Sequence, residues 1–542
     1  MATTPSLRSG LVHDLLDEAA ARRPLGRAVR DARGALTYQE VAGLSDAIAG
    51  WLIAGGVRPG DRVLARTRNR RELVPLLYGI WRAGAAAVPI NPGMKPFHLR
   101  SVLADAEPAL LITDDGRLTA TSAVHTATPG GSARPGTTLG GSARPGTTLD
   151  GSAGPGDPLD GSVVPVVSLD ELWPDVEVLA GLAAKPEPVK VGPDDVALLI
   201  YTSGSTAAPK GVVCPHARVS FAASAINAVL GYRPDDVVYC RLPLSFDYGL
   251  YQIMLAALGG AELVLADDEP DLGLLKAIEE CGATVVPIVP SLGAMIASLA
   301  GRGAHDPGAV RMFTNTGAAL PETTIRGLRA GFPGAAVVRM YGITECKRVT
   351  IMDPDLGDER PGSSGRALPG TTVVVLGADG RPTPPGVSGE IVVAGPNVMA
   401  GYWRAPELTA AVYRPDPETG ETRLHTGDHG HLDEDGYLYF EGRRDDMFKR
   451  RGTRMSTIEI EAAAMDVPGV RAAAALPPGD DHDLVIFVES DLRPQDVLRG
   501  LRERLEPAKT PAACHVLPAF PLTLNGKNER RRLAQLLKET LR

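Results

Sequence analysis

The sequence predicts an α/β protein, with a large N-terminal α/β domain that becomes β-rich towards its end and a small C-terminal α+β domain. Three observations carry this prediction. Helical apolar spacing alternates with short apolar runs between residues 36 and 395. Past Gly370 the helical pattern fades, and Gly/Pro turns separate short strand-like runs. A basic stretch, Lys449-Arg450-Arg451-Gly452-Thr453-Arg454, then opens a tail with helices and strands of its own. Helices alternating with buried strands build a mostly parallel sheet covered on its faces.

Residues 36–55 place Val41, Leu44, Ile48, Trp51 and Leu52 at helical spacing and stop at Gly55-Gly56, as a helix C-terminus should. A turn at Pro59-Gly60 leads to a strand beginning at 62–64, a second helix at 72–83 and an apolar strand at 86–90. The alternation breaks at 117–165. Residues 131–140 (GSARPGTTLG) recur as 141–150 (GSARPGTTLD) and loosely as 151–160 (GSAGPGDPLD). Such a repeat buries no core, and its period is too short for a helical solenoid. The segment is therefore predicted to be a disordered, low-complexity surface insertion with no catalytic role. From 191 the pattern resumes, with strands expected at 196–200, 373–376, 390–394 and 438–441. The large domain is assigned to 1–444 and the small one to 445–542. In the latter, helices at 458–465, 495–505 and 530–541 alternate with strands at 484–488 and 513–517.

Of the 542 residues, 44% are apolar and 22% charged, the composition of an ordinary globular protein. A net charge of −9 argues against a nucleic-acid surface. The five cysteines, Cys214, Cys240, Cys281, Cys346 and Cys514, form no CxxC pair, which suits neither a zinc site nor a disulfide framework and predicts a cytoplasmic location. The first ten residues lack the apolar core of a signal peptide, and no apolar run is long enough to span a membrane.

The chemistry begins at residues 201–211, Tyr-Thr-Ser-Gly-Ser-Thr-Ala-Ala-Pro-Lys-Gly, which follow the apolar run at 196–200. Gly204 and Gly211 permit tight turning. Backbone amides together with Thr202, Ser203, Ser205, Thr206 and Lys210 can surround phosphate oxygens. The ordinary P-loop spacing is absent, and the composition alone would also suit a bland Ser/Gly surface loop.

The order of residues in this loop resembles the phosphate loop of the adenylate-forming superfamily, which holds acyl-CoA synthetases, peptide-synthetase adenylation domains and luciferases. That family usually has Thr-Gly or Gly-Gly where this chain has Ala207-Ala208. Further segments match in the same order. Asn315-Thr316-Gly317-Ala318-Ala319-Leu320-Pro321 resembles the segment lining the adenine pocket. Tyr341-Gly342-Ile343-Thr344-Glu345 resembles the motif whose tyrosine stacks on adenine, whose threonine meets the α-phosphate and whose glutamate helps hold Mg²⁺. Thr426-Gly427-Asp428 resembles the motif whose aspartate binds both ribose hydroxyls, a task suited to an acceptor-only carboxylate. Arg443 falls at the ribose-contacting position, and Asp445 at the hinge about which the family's small, mobile domain turns. Leu524-Asn525-Gly526-Lys527 matches the loop of the catalytic lysine. Gly401-Tyr402-Trp403 also resembles a family segment, for which a structural role is expected.

The resemblance implies ATP-dependent activation of a small carboxylic acid as its adenylate, with Mg²⁺ as cofactor. Transfer to the thiol of CoA or of carrier-protein phosphopantetheine follows. Thr206, Lys210, Glu345 and Lys527 are the implied catalytic residues. Leu242-Pro243-Leu244-Ser245-Phe246-Asp247-Tyr248-Gly249 lies where the family places a pocket-lining helix. There Asp247 either pairs with a substrate amino group or caps the helix, with Phe246 and Tyr248 beside it. Lys347 and Arg348, which follow Glu345-Cys346, either bind a second anionic group, favour a small anion over a bulky acyl chain, or lie on the solvated side of a helix. The acceptor phosphates would meet Lys449, Arg450, Arg451 and Arg454. No carrier-attachment segment follows Lys527, so a stand-alone ligase is expected. Three readings stand beside this one: adenylation of a non-carboxylate anion, transfer to an amine, and a catalytically inactive nucleotide-binding relative.

Overall fold

Thr37 decides where the chain's first long helix starts. Its hydroxyl accepts from Glu40 N while the Glu40 carboxylate accepts from Thr37 N, a capping box that begins the helix Tyr38–Ala54. Leu36 and Thr37, which periodicity assigns to the helix, instead end the strand Gly34–Thr37, paired with Arg27–Asp31. The structure is a computed structural model that describes residues 10–94, 96–114, 164–182, 186–187, 189–202, 209–266, 271–302, 306, 308–354, 356, 359–443, 447–450, 453–479, 482–507, 509–521 and 530–540. The 131–160 repeat lies outside them.

Two largely parallel sheets form the frame. One is six-stranded, in the order Val166–Ser168, Leu110–Thr113, Arg62–Arg66, Ala86–Pro89, Val196–Thr202, Lys210–Pro215, and antiparallel only at its last pair. The other is nine-stranded, and its parallel centre runs Ala336–Tyr341, Met312–Asn315, Val285–Ile288, Val237–Cys240, Glu262–Leu265, Arg27–Asp31. Central strands such as Val285–Ile288 and Met312–Asn315 are buried along their whole length, as parallel strands covered on both faces require. Helices pack between the sheets. Leu73–Arg82 is buried over nine consecutive residues, and its Trp81 Nε1 donates to Ala197 O on a central strand at 2.8 Å.

The β-rich region is a third sheet, antiparallel, built on Thr422–Leu432 paired with Gly389–Ala394, Tyr413–Pro415 and Leu438–Arg443. Beyond it, Val470–Leu476, Val485–Ser490 and Ala513–Leu517 form a small mixed sheet with the helices Thr457–Met465, Pro494–Arg502 and Arg530–Thr540. Among the described residues, the apolar clusters of this part hold nothing before Phe448, and the other clusters hold nothing after Phe440. Thr323 Oγ1 donates to Met465 O (3.3 Å) and Arg326 pairs with Asp466 (3.1 Å) across the two parts. No helix among the described residues is long and apolar enough to cross a membrane.

The sheets place the motifs. Thr202, Cys240, Asn315 and Tyr341 each end a parallel strand, so these four motifs meet their sheets at the carboxyl ends. Open α/β sheets bind ligands in that crevice.

Candidate active site

Thr202 and Lys210 face each other across the antiparallel pair Val196–Thr202/Lys210–Pro215. They therefore flank the mouth of the phosphate-loop hairpin. Ser203, Gly204, Ser205 and Thr206 lie outside the described residues, as do Asp445 and Lys527. The stem of the hairpin is fixed from outside: Tyr201 Oη donates to Asp105 Oδ2 (2.6 Å), Trp403 Nε1 to Asp105 O (3.1 Å) and Trp403 N to Gly211 O (2.7 Å). The Lys210 ammonium lies 5.9 Å from the centre of the Tyr402 ring, and the Tyr402 phenol donates to Glu345 Oε1 at 2.7 Å. The structure thus brings Lys210 and Glu345 into one cluster through a residue for which the sequence predicts a structural part.

A second cluster holds Tyr341, Asp428 and Arg443. Asp428 sits opposite Arg443 in the pair Thr422–Leu432/Leu438–Arg443. One carboxylate oxygen accepts from Arg443 Nε (3.1 Å) and the other from Tyr341 Oη (2.7 Å). Burial pushes the Asp428 carboxyl above the usual range, outweighing the opposing pull of Arg443 and the Tyr341 phenol. Tyr341 stacks on Phe440, with ring centroids 5.3 Å apart. The turn carrying Asp428 is held by Thr426 Oγ1, which donates to Ile391 O (2.6 Å) and accepts from Asp428 N (3.1 Å). The Glu345 charge is felt at both Asp428 and Arg443, so the two clusters share one field. Gly317 (φ 92°) and the exposed Ala318 form the turn after Met312–Asn315.

The segment 342–348 forms a turn and no helix. Lys347 and Arg348, for which a solvated helix face was one expectation, are buried, with Lys347 only 1% exposed. The cause is local. Lys347 adopts φ 63°, and its carbonyl lies 2.0 Å from where a Cβ on Gly342 would stand. The chain therefore folds back on Gly342, and Asn397 Nδ2 ties the bend by donating to Cys346 O and Arg348 O (3.2 and 3.1 Å). Gly342→Ala is expected to lower stability by about 1–3 kcal/mol, the usual cost of overpacking, and to displace Thr344 and Glu345 with the turn. Chemical denaturation of the variant checks this, and an unchanged midpoint would refute it.

Beside the bend stands the segment that the sequence assigns to a substrate pocket. Asp247 is the first residue of the helix Asp247–Gly259, 5% exposed, and the N-cap position belongs to Phe246, which makes no side-chain cap bond. The Asp247 carboxylate has no hydrogen-bond or ion-pair partner among the described residues. Lys347 Nζ likewise meets no carboxylate among the described residues; it lies 5.7 Å from the Tyr251 ring and donates towards the Cys214 thiol beside it. That thiol, pushed up by burial, also feels Asp247 and Glu345. Arg348 stacks 4.7 Å over the Tyr248 ring, and the Tyr248 phenol donates to Thr314 O (2.5 Å). A buried carboxylate and a buried ammonium therefore flank one region, each without a partner of opposite charge among the described residues.

For the metal, Glu345 offers one carboxylate whose Oε2 has no described partner, and no group of three or more His, Cys, Asp or Glu is placed to hold an ion among the described residues. That donor set fits Mg²⁺ bound through one carboxylate, with phosphate and water completing its shell. Arg450, expected to face acceptor phosphates, is instead turned inward. Its guanidinium pairs with Asp483 at 2.7 and 2.8 Å and donates to Thr510 O.

Residues 16–403 match the family model described as AMP-binding enzyme. The chain belongs to the AMP-binding enzyme family. Among curated AMP-binding relatives, enterobactin synthase component F of Escherichia coli (strain K12) is 30% identical over 98% of this chain and 40% of that protein. The chain thus spans well under half of that much longer protein. The crystal structure of VinN is 50% identical with a TM-score of 0.70, over 81% of this chain and 100% of VinN. VinN has also been solved in complexes with L-aspartate and with 3-methylaspartate. ATP-bound MatB from Rhodopseudomonas palustris is 25% identical, with a TM-score of 0.81 over 98% of this chain and 100% of MatB. The architecture of AMP-binding enzymes, a large N-terminal and a small C-terminal domain, is that of this chain.

Proposed function

We propose that this chain activates an amino dicarboxylic acid of the aspartate type as its acyl adenylate, and then passes the acyl group to a thiol. The observation that carries the choice of acid is the pair of buried charges, Asp247 and Lys347, neither of which meets an opposite charge among the described residues, and both of which act with Glu345 on the same thiol, Cys214. Burying a lone charge is costly, so each calls for a ligand group of opposite sign. An ammonium for Asp247 and a second carboxylate for Lys347, backed by Arg348, describe one molecule. The 50% identity to a protein solved with L-aspartate supports the same reading.

In this reading, Lys210 and the hydroxyls of Thr202, Ser203, Ser205 and Thr206 hold the ATP phosphates, with Thr344 at the α-phosphate. Asp428 and Arg443 hold the ribose, and Tyr341 with the 317–318 turn holds the adenine. Mg²⁺ on Glu345, when bound, neutralises charge on phosphate oxygens. The substrate carboxylate attacks the α-phosphorus: an O–P bond forms, the bond to the β-phosphate breaks, and pyrophosphate leaves. Lys527 bridges nucleophile and α-phosphate as charge develops. The small domain, hinged at Asp445, then turns and admits the thiol of CoA or of a carrier protein's phosphopantetheine, which attacks the mixed anhydride and expels AMP. Cytoplasmic location suits five cysteines that form no disulfide.

Mass spectrometry of products formed with CoA and with a carrier protein tests the transfer; adenylate without thioester in both arms would refute it. Asp247→Asn tests the amino contact. We expect kcat/KM for aspartate to fall at least about 30-fold, the low end of the 2–5 kcal/mol lost when one partner of a buried charge pair is removed. Succinate, lacking the amino group, should then bind no worse than before. Equal losses for both acids would contradict the assignment.

A further inference from the structure

The segment Met399 to Trp403 lies between the two residues that the proposed reading gives to phosphate and to metal. On one side it runs along Lys210–Pro215: Trp403 N donates to Gly211 O (2.7 Å), Val213 N to Gly401 O (2.9 Å) and Ala400 N to Val213 O (3.0 Å). On the other, Met399 N donates to Glu345 O (2.8 Å). Tyr402 stands at the centre, its own amide held by Thr409 Oγ1 (2.9 Å) and its ring edge-on to Tyr413 (5.9 Å). Its ring faces the Lys210 ammonium, and its single phenolic proton is given to Glu345 Oε1. No Lys210–Glu345 ion pair is present among the described residues, although both reach the same ring.

We infer that Tyr402 is a positioning residue, a spacer that keeps Lys210 and Glu345 from neutralising each other before nucleotide arrives. A cation and an anion side by side in a partly buried site attract strongly. Once paired, the ammonium would be withdrawn from phosphate and the carboxylate from Mg²⁺. The ring prevents this by offering the ammonium its π face. The phenol offers the carboxylate one hydrogen bond, which fixes its rotation and leaves Oε2 for the metal. Two short-range contacts thus replace one ion pair.

This inference rests on Glu345 being the metal carboxylate, and the test separates the two claims. Mn²⁺ binding, followed by electron paramagnetic resonance with a non-hydrolysable ATP analogue, is compared in the full chain, Tyr402→Phe, Tyr402→Leu and Glu345→Gln. Metal-free ATP binding is followed by calorimetry. Tyr402→Phe keeps the ring and loses the phenol. Its Mn²⁺ affinity is expected to fall about tenfold, the worth of one hydrogen bond to a charged group, while metal-free ATP affinity and the KM for the acid stay as in the parent. Tyr402→Leu loses both contacts and is expected to weaken metal-free ATP binding as well. Wild-type Mn²⁺ affinity in Tyr402→Phe, with affinity lost in Glu345→Gln, overturns the spacer alone. Wild-type affinity in Glu345→Gln overturns both claims. Equal losses of Mn²⁺, ATP and acid affinity in Tyr402→Phe would mark a merely structural residue and also overturn the inference.

Discussion

Lys347→Met is expected to lower kcat/KM for an amino dicarboxylic acid at least about 30-fold, the low end of the 2–5 kcal/mol lost when one partner of a buried charge pair is removed. The same substitution is expected to raise the melting temperature of the ligand-free protein. Both effects come from one fact: the Lys347 ammonium is buried and, among the described residues, pairs with no carboxylate. Without ligand the lone charge costs stability, and methionine fills similar space without it. With ligand, the second carboxylate would be buried against a thioether. The loss should be selective, because β-alanine has no second carboxylate to strand. Steady-state pyrophosphate exchange with both acids, beside a thermal melt, checks the three outcomes. A lower melting temperature combined with equal loss for both acids would show Lys347 to be a packing residue.

Lys527→Ala is expected to reduce ATP–pyrophosphate exchange by about 10²–10³-fold or more, the size seen when a group that stabilises developing charge is removed. Nucleotide binding should survive, because the phosphate, ribose and adenine contacts assigned above come from other segments. Equilibrium binding of ATP beside the exchange rate separates these effects. Undiminished exchange would remove Lys527 from the mechanism, and loss of ATP binding would make it a binding residue.

Much of the fold, and the motifs that the structure brings together, were legible in the sequence because their signals are local. The helix Tyr38–Ala54 shows its apolar stripe and its capping box within one segment. Tyr341 to Glu345 and Thr426 to Asp428 are short runs whose neighbours identify them, and the structure places Tyr341 and Asp428 2.7 Å apart across 87 positions. What was not legible depends on tertiary context. Val470–Leu476 holds four consecutive alanines and carries no strand signal, yet it lies inside the small sheet, where burial overrides helix propensity. For Lys347 and Arg348 the sequence leaves a second-anion site and a solvated helix face side by side, because charge usually means exposure. Only the reversal of the chain over Gly342 sends them inward. The bond from Tyr402 to Glu345 spans 57 positions and leaves no mark in either motif.

The most direct test of the account is ATP–pyrophosphate exchange by the unaltered chain across a panel of acids: L-aspartate, 3-methylaspartate, succinate, β-alanine, an aminobenzoic acid and a fatty acid. The account predicts rapid Mg²⁺-dependent exchange with the aspartates and at least about 30-fold slower exchange with succinate and β-alanine, each of which leaves one buried charge unmet. Exchange with no acid would contradict adenylation itself, and equal exchange with the fatty acid or β-alanine would contradict the roles given to Asp247 and Lys347.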